Sequence, residues 1–415
     1  MRMTYEKLSK IYYKSDAIYK QEYEKRFRDY GTYQTGLKIR PVQKGQHVGE
    51  PVELFIVQTH KLMQLHEEIL LNSFNIRSMV QQMPTVAVQP YFDKLLINEL
   101  QSTNEIEGVR STKMELTQVL QSVKEKNLPK DKRFIGLMKT YQYLDDIKPF
   151  EDITDFRKLY DEVVAEEVDA ASQPDGELFR KESVSITDGH KATHIGVFPE
   201  EQIKWHLQEL IEFLEHSRSP DLYKFMLAHY YYEYIHPFYD GNGRTGRLLV
   251  CSYVARKLDK FTAITLSYTI NQDKQKYYKA LEELSHPLNK GEGTFYMESL
   301  LELLRDGQKY VIEDLEIGLA KLQKINKHLH QLDWADHDQK RLLSTLLEVS
   351  VFAGTYHHLS NSELIEATSL SRYKVNTYLS TFESMGIATK IRQRPVTYQL
   401  NDNYIEEILN ASLHA

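Results

Sequence analysis

One twelve-residue segment, HPFYDGNGRTGR at positions 236–247, constrains this chain most because it joins two long helical patterns. Upstream, the apolar residues of SPDLYKFMLAHYYYEYIHP recur at helical spacing up to Pro237, which cannot continue a helix. Downstream, another helix begins inside GNGRTGRLLVCSYVARKL. Gly241, Gly243 and Gly246 spell the G-x-G-x-x-G of a dinucleotide-binding fold, but that fold needs a strand before the first glycine. A helix precedes it here, so we exclude the dinucleotide interpretation.

The same segment carries side chains and amides suited to a bound polyphosphate. Backbone amides at a helix start are unpaired and lie at its positive end, so Gly241, Asn242 and Gly243 can line an anion site. Arg244 and Arg247 are three residues apart on one helical face, and both can contact phosphate oxygens. These features together predict an anion-binding helix start.

Two further side chains add chemistry to that anion site. Asp240 is a hard oxygen ligand suited to Mg²⁺ beside phosphates. His236 titrates near neutrality and can accept a proton from a hydroxyl group. The alternative is that His236 only makes a helix-end contact and that the arginines form surface ion pairs. Their joint occurrence in one segment favours a polyphosphate–metal site with a general base.

This segment resembles the signature of the Fic family, H-P-F-x-[D/E]-G-N-[G/K]-R-x-x-R, at every fixed position. The resemblance covers roughly residues 95–300, including the runs SVSI and THIGVF, which predict a β-hairpin flap at about 183–198. It implies a mainly α fold with a Fic-type helical core. It also implies transfer of AMP from ATP to a Tyr, Thr or Ser hydroxyl of a target protein, which would add its main chain to the flap as a strand.

The resemblance also implies a role for each residue of the segment. His236 would deprotonate the attacking hydroxyl, Asp240 would hold Mg²⁺, and Phe238 would be the buried anchor of the loop. The phosphates would be bound by an anion hole of Gly241, Asn242 and Gly243, with Asn242 also donating from its side chain, and by Arg244 and Arg247, the latter reaching the γ-phosphate.

A second motif, TNEIEG at 103–108, matches the family's inhibitory pattern [S/T]-x-x-x-E-[G/N]. Thr103 and Glu107 are four residues apart and share a helix face, and Gly108 suits the left-handed position after a helix. Taken alone, the motif would read as a solvated helix end. The resemblance implies instead that Glu107 pairs with Arg247 and leaves ATP bound unproductively. The same carboxylate could orient water for removal of AMP from a modified target.

The tail has a different character and predicts a small winged helix-turn-helix. NSELIEATSLSRYKVNTYLSTFESMG reads as two helices joined by a short turn, and IATKIRQRPVTYQL reads as a β-wing. Over residues 372–394, five cations against one anion give a local charge of +4, which suits DNA binding through residues 362–398. A role in protein contacts is equally consistent. The charged residues are Arg372, Lys374, Lys390, Arg392, Arg394 and Glu383.

Length and pattern divide the 415 residues into four expected regions. The net charge of −7 argues against nucleic-acid binding over the whole surface, and the single cysteine, Cys251, excludes a disulfide framework. No secretory signal or membrane-spanning run is present, which predicts a cytoplasmic protein without a membrane partner. The expected regions are an N-terminal helical region at 1–95, a Fic core at 96–300 with an inhibitory helix at about 96–108, a helical connector at 301–336 and a winged domain at 337–415.

Several functions remain open at this point. The transferred group could be UMP, phosphocholine or phosphate instead of AMP, because the anion hole would serve each of them. A protein of another class, a DNA-binding regulator whose Fic core only senses a nucleotide, would not need the base His236. The oligomeric state, including a homodimer, is also open.

Overall fold

The computed structural model of this chain describes residues 5–126, 133–187, 192–354 and 358–410. It divides into two compact units, one of Met1–Ser73 and Glu99–Gln308, the other of Phe74–Asn98 and Lys309–Ala415. In the part that the structure describes, no helix is both long enough and apolar enough to span a membrane.

The elements are mostly helical, as the sequence predicts. In chain order the α-helices are α1 Leu8–Tyr12, α2 Asp16–Phe27, α3 His60–Gln81, α4 Thr85–Ile106, α5 Lys113–Lys124, α6 Ile135–Gln142, α7 Thr154–Val163, α8 Glu200–His216, α9 Asp221–Ile235, α10 Asn242–Lys257, α11 Lys260–Ala263, α12 Leu266–Gln272, α13 Lys274–Ser285, α14 Thr294–His330, α15 His337–Ala353, α16 Asn361–Thr368, α17 Arg372–Ser384 and α18 Asp402–Asn410. Short 3₁₀ turns lie at Leu144–Asp146, Ala170–Ser172 and Pro287–Asn289. Among the described residues there are four antiparallel strand pairs: β1 Thr32–Ile39 with β4 Val52–Val57, β2 Val42–Gln43 with β3 Gln46–His47, β5 Ser185–Thr187 with β6 Ala192–Ile195, and β7 Ala388–Gln393 with β8 Val396–Leu400.

The expected boundaries differ from those of the two units for a simple reason. The helices α3, α4 and α14 each begin in one unit and end in the other, so no linker separates them. The expected connector at 301–336 is therefore mostly the second half of α14, which continues to His330. Residues 1–73 belong to the same unit as the Fic-like segment and do not form a region of their own.

The expected N-terminal helical region at 1–95 is wrong for residues 32–57, which contain the strands β1 to β4 and no helix. Tyr33 pairs with Ile56 across β1 and β4, and the backbone of Phe55 bonds Gly291 and Gly293 on the other side. Leu54, Phe55 and Ile56 are all buried, which gives the strand an apolar run without alternation. The periodicity of apolar residues in a short segment carries no information about pairing with residues so distant in the sequence.

The two helices that flank the 236–247 segment, α9 and α10, lie in the centre of the first unit. Most residues of α9 and all those from Asn242 to Ala255 in α10 are buried. A helix surrounded by protein on all sides needs apolar or hydrogen-bonded side chains around its whole circumference. The tyrosines Tyr230, Tyr231 and Tyr232 meet this need. The loop between α9 and α10 is therefore held by a rigid, buried pair of helices.

The second unit contains the elements that the tail predicts, in the predicted order. The helices α15, α16 and α17 are followed by the β7–β8 hairpin and by α18. Their core is built from Leu342, Leu346, Leu364, Val375, Leu379, Phe382, Ile387 and Tyr398, among others. Residues 355–357 and 411–415 of the expected winged domain lie outside the described residues.

Candidate active site

The loop after α9 is shaped by its first three residues. His236 ends α9 in a left-handed conformation, with φ of 52°, and its amide donates to the Tyr232 carbonyl at 2.9 Å. Phe238 is fully buried, and its ring stacks on Tyr160 with centroids 3.8 Å apart. Phe238 thus lies where an anchor for the loop is expected.

The side chain of Asn242 braces the loop from inside. Its Oδ1 accepts from the Phe238 amide at 2.9 Å, and its Nδ2 donates to the Phe238 carbonyl at 2.8 Å. That this side chain also donates to a nucleotide stays a prediction, and here both of its polar atoms bond within the loop. The reason is that Asn242 is 1% exposed, so its polar atoms must find partners within the protein.

The start of α10 is open to an anion. Gly241 precedes the helix with φ of 84°, and as a glycine it has no side chain to accept from the first amides. A Cβ atom on Gly243 would lie 2.1 Å from Oε1 of Glu107, so only glycine allows this carboxylate to approach. The Glu107 carboxylate thus lies against the positive end of α10, which stabilises negative charge.

Arg247 is the side chain that holds Glu107 in place. The guanidinium is 1% exposed, and its Nη2 lies 2.8 Å from Oε1 of Glu107. Its Nε donates to the Thr103 hydroxyl at 2.9 Å and its Nη2 to the Thr103 carbonyl at 3.1 Å. Burial acts to lower the pKa of Arg247, but Glu107, Tyr277 and Glu233 together outweigh it and raise that pKa. The structure therefore brings both halves of the inhibitory motif onto Arg247, and Gly108 follows α4 with φ of 72°.

Arg244 has a different partner from the one expected. Its Nη1 donates to Oε2 of Glu167 at 2.8 Å, and the other oxygen of Glu167 accepts from the Phe134 amide at 2.9 Å. Its Nε is buried and has no hydrogen-bond partner among the described residues. Arg244 is tied to the loop after α7 because a guanidinium that is 3% exposed needs a counter-ion. Sequence reasoning did not identify Glu167.

Asp240 is exposed at the tip of the loop, and its Oδ1 accepts from the Gly241 amide at 2.5 Å. Within the described ranges no three His, Cys, Asp or Glu side chains converge as a metal site. A single carboxylate suits Mg²⁺, which keeps several waters and completes its shell with substrate phosphates. Asp240 thus fits a Mg²⁺ that arrives with a polyphosphate.

His236 is surrounded by groups that disfavour its charged form. Burial, followed by His194 and Arg180, lowers the pKa of His236 to about 3. Arg180 is fully buried and donates from Nε to the His236 carbonyl at 2.9 Å and from Nη2 to the Val197 carbonyl at 2.7 Å. Arg180 therefore links the loop to the residues after the flap. Sequence reasoning missed it, because a buried arginine bound only to carbonyls leaves no motif.

The end of α4 is held by a set of side chains that we call the α4 clamp: Asn271, Lys274 and Tyr278. Lys274 Nζ donates to the Glu105 carbonyl at 2.7 Å, and Tyr278 Oη donates to the Ile106 carbonyl at 3.3 Å. Asn271 Nδ2 donates to Oε2 of Glu105 at 2.7 Å. The last carbonyls of a helix lack partners inside it, so these donors stabilise the final turn that carries Glu107.

The profile of the Fic/DOC family matches residues 132–254, which include the whole loop and most of α10. Residues 132–254 therefore resemble a Fic/DOC domain. Thr103 and Glu107 lie outside the matched residues, on the helix that reaches Arg247 from the N-terminal side.

The similarity to individual proteins either covers a short segment or is low in sequence identity. Protein adenylyltransferase Fic from Nematostella vectensis is 42% identical over 60 residues, which are 14% of this chain and only 13% of that protein. A Fic family protein from Desulfovibrio desulfuricans G20 shares 20% identity, with 83% of this chain and 97% of that chain covered and a TM-score of 0.49. Fic-1 from C. elegans shares 18% identity, with 61% and 74% covered and a TM-score of 0.43.

The hairpin next to the Fic loop is present as the sequence predicts. Ser185 pairs with Ile195 and Ile186 with His194, and the Gly196 amide donates to the Val184 carbonyl at 2.9 Å. The Val197 amide donates to the Ile235 carbonyl at 3.0 Å, which joins the hairpin to the end of α9. The expected turn at 188–191 lies outside the described residues.

Proposed function

We propose that this protein transfers AMP from ATP to a Tyr, Thr or Ser hydroxyl of a target protein and that Glu107 inhibits the transfer. The observation that carries the proposal is the uncapped start of α10, where a carboxylate already lies at the anion position beside Arg247. The match to the Fic/DOC family and the short match to a protein named protein adenylyltransferase support AMP as the transferred group.

The proposed chemistry is an in-line displacement at the α-phosphorus. The target's hydroxyl oxygen bonds to the α-phosphorus, the bond from that phosphorus to the bridging oxygen breaks, and pyrophosphate leaves. His236, neutral at pH 7, takes the hydroxyl proton. The amides of Gly241, Asn242 and Gly243 would bind the phosphate oxygens, and Asp240 would hold a Mg²⁺ that neutralises the leaving group's charge.

Inhibition follows from the position of one carboxylate. Glu107 takes the Nη2 donor of Arg247, which would otherwise bind the γ-phosphate. Its negative charge would also repel the phosphates, because both occupy the same end of α10. ATP would then bind in a pose that leaves the α-phosphorus out of line with the hydroxyl. The target would pair its main chain with the flap hairpin, about 183–198.

The alternatives use the same site and are separated by one experiment. A carboxylate beside the anion position could orient water, which would make the protein remove AMP from modified targets. UMP, phosphocholine or phosphate could replace AMP as the transferred group. Incubation of the wild type with ATP, UTP and CDP-choline, followed by mass analysis of the protein itself, identifies the group by the added mass. Absence of any added group on any protein would leave the removal of AMP, which a target modified beforehand tests, and the nucleotide-sensing alternative.

The α4 clamp predicts a milder activation than the loss of Glu107 itself. Lys274→Ala removes the cation on the Glu105 carbonyl and should raise AMP transfer by about 3- to 10-fold, since one such contact contributes roughly 0.5–1.5 kcal/mol. Initial rates with labelled ATP measure the effect. The matched control is Lys279→Ala, which removes an exposed lysine from the same helix and should leave the rate unchanged. Equal rates for the two variants would contradict the clamp's role.

We also propose that the second unit binds DNA. The specific observation is that Arg372 at the start of α17 and Arg394 in the β7–β8 hairpin are exposed, together with Tyr373 and Asn376 on α17. Lys374 contributes less than the sequence suggests, because it pairs with Asp338. An exposed helix start with arginines beside it suits phosphate and base contacts in a major groove.

The DNA proposal is tested with the full-length protein. We expect the protein to bind mixed-sequence duplex DNA, with an affinity that falls as the salt concentration rises. The double variant Arg372→Ala with Arg394→Ala should bind the same DNA about 10-fold more weakly or worse. Arg341→Ala, an exposed arginine on α15, is the control and should bind like wild type. Absence of salt-dependent binding by the wild type would favour the alternative that this unit makes protein contacts.

A further inference from the structure

The Fic motif does not account for one buried carboxyl beside it, that of Glu233 on α9. It lies three residues before His236 and faces α10, where its Oε1 would be 2.7 Å from a Cβ on Gly246. Any larger residue at 246 would push this carboxyl out of its place. The chain thus keeps room for an acidic group in the wall of the active site.

Three polar atoms around this carboxyl are buried without a hydrogen-bond partner among the described residues. They are Oε1 of Glu233, Nδ1 of His229 and Nδ1 of His236. Nδ1 of His236 lies 3.9 Å from Oε2 of Glu233, and Nδ1 of His229 lies 4.0 Å from Oε1. Buried polar atoms normally have partners, so an unpartnered Nδ1 of His236 this close to the Glu233 carboxyl marks a contact that is open in this state of the protein.

The charges around Glu233 explain why the contact is open. Burial and the nearby Glu107 carboxylate, opposed by Arg247, raise the pKa of Glu233 to about 8. At pH 7 the group is therefore neutral while Glu107 lies on Arg247. A neutral carboxyl attracts an imidazole N–H much less than a carboxylate does. Departure of Glu107 removes the like charge and lowers the pKa of Glu233.

We propose that Glu233 is a positioning residue for His236, acting from its carboxylate on Nδ1–H once Glu107 has left Arg247. Closing the gap takes a shift of about 1 Å to reach hydrogen-bond distance. The contact holds the proton on Nδ1 and leaves Nε2 free to accept the proton of the hydroxyl. The inference rests on the proposed AMP transfer and adds to it a second inhibitory effect of Glu107, exerted on the base itself.

Other charged and titratable groups act on this pair and must be kept unchanged in any test. They lie on every element packed around it: Glu107 on α4, Arg180 before the flap, His194 on β6, His229 and Tyr232 on α9, Arg247 on α10, Tyr277 and Tyr278 on α13 and Tyr296 on α14.

The test compares Glu233→Gln with its parent in a Glu107→Gly background, with two independent measurements. The first is the ¹⁵N NMR titration of His236 in histidine-labelled protein without nucleotide. We expect the substitution to lower the pKa of His236 and to increase the minor tautomer, because an amide does not stabilise the imidazolium as a carboxylate does. Unchanged tautomer and titration would overturn the proposal whether or not the protein transfers AMP.

The second measurement separates kcat from KM. Glu233→Gln should lower kcat for AMP transfer roughly 10-fold, a part of the ~10²–10⁴ that a general base supplies, with KM for ATP within about 2-fold. The acid limb of the kcat profile should move to lower pH. A fall in kcat accompanied by an equal rise in KM and a lower Tm would indicate a structural role for Glu233 and contradict its role in positioning His236. Glu212→Gln, an exposed glutamate on α8, is the control. No transfer by the Glu107→Gly parent would count against the proposed function, while the NMR result still decides the role of Glu233.

Discussion

Replacing Glu107 by glycine is expected to raise AMP transfer by at least about 100-fold. The substitution frees Nη2 of Arg247 and empties the anion position at Gly243. An arginine that neutralises phosphate charge in the transition state contributes on the order of 10³–10⁵ in rate, so its release should have a large effect. Transfer from ATP labelled at the α-phosphate to the protein itself measures it.

Two further variants make this result specific. Glu107→Gln removes the charge but keeps the length of the side chain and should activate less than glycine does. Glu125→Gly changes an exposed glutamate after α5 and should have no effect. Unchanged or lower transfer by Glu107→Gly would rule out the inhibitory role and would favour Glu107 as the group that orients water for removal of AMP.

Replacing His236 by alanine in the activated background should abolish transfer, with a loss of about 100-fold or more, while ATP still binds. The imidazole acts on the attacking hydroxyl, and none of the amides and arginines proposed to hold the phosphates is changed. Because burial, His194 and Arg180 lower the pKa of His236 to about 3, the base is deprotonated from pH 5 to 8. The parent should therefore show no loss from protonation of His236 in that range.

The measurement pairs transfer with calorimetric ATP binding. We expect Kd to change by less than about 2-fold, and His216→Ala, an exposed histidine on α8, serves as the control. Retained transfer without the imidazole would mean that another group takes the proton. A parallel loss of ATP binding would mean that His236 supports the loop and is not the base.

Much of the fold could be predicted because its signals are local. The α9 and α10 patterns, the stop at Pro237 and the left-handed Gly108 depend on residues within a few positions. Strand β4 could not be predicted, because its pairing with β1 and with Gly291–Gly293 comes from far along the chain. Tertiary pairing outweighed the helical periodicity of that stretch.

The site divides in the same way. The residues that lie at the start of α10 could be predicted from the segment 236–247, since consecutive positions on one helix define a face. The hydrogen-bond partners of these residues could not be predicted from the sequence. Glu167 is 77 residues from Arg244, and Lys274 is 169 residues from the Glu105 carbonyl that it contacts. The bonds of Asn242 to the Phe238 backbone are local, but they depend on the loop's conformation, which no motif describes.

The amino-acid sequence was sufficient to predict a helix start suited to an anion, with a histidine before it and an acidic motif elsewhere, because helix ends and faces follow from neighbouring residues. Only the tertiary structure decided that Glu107 reaches Arg247 and that Glu233 lies between two histidines. Such contacts join residues from separate helices or from opposite sides of a turn. Their distances and their burial, and hence their charges, depend on how the helices pack and not on the order of residues along any one of them.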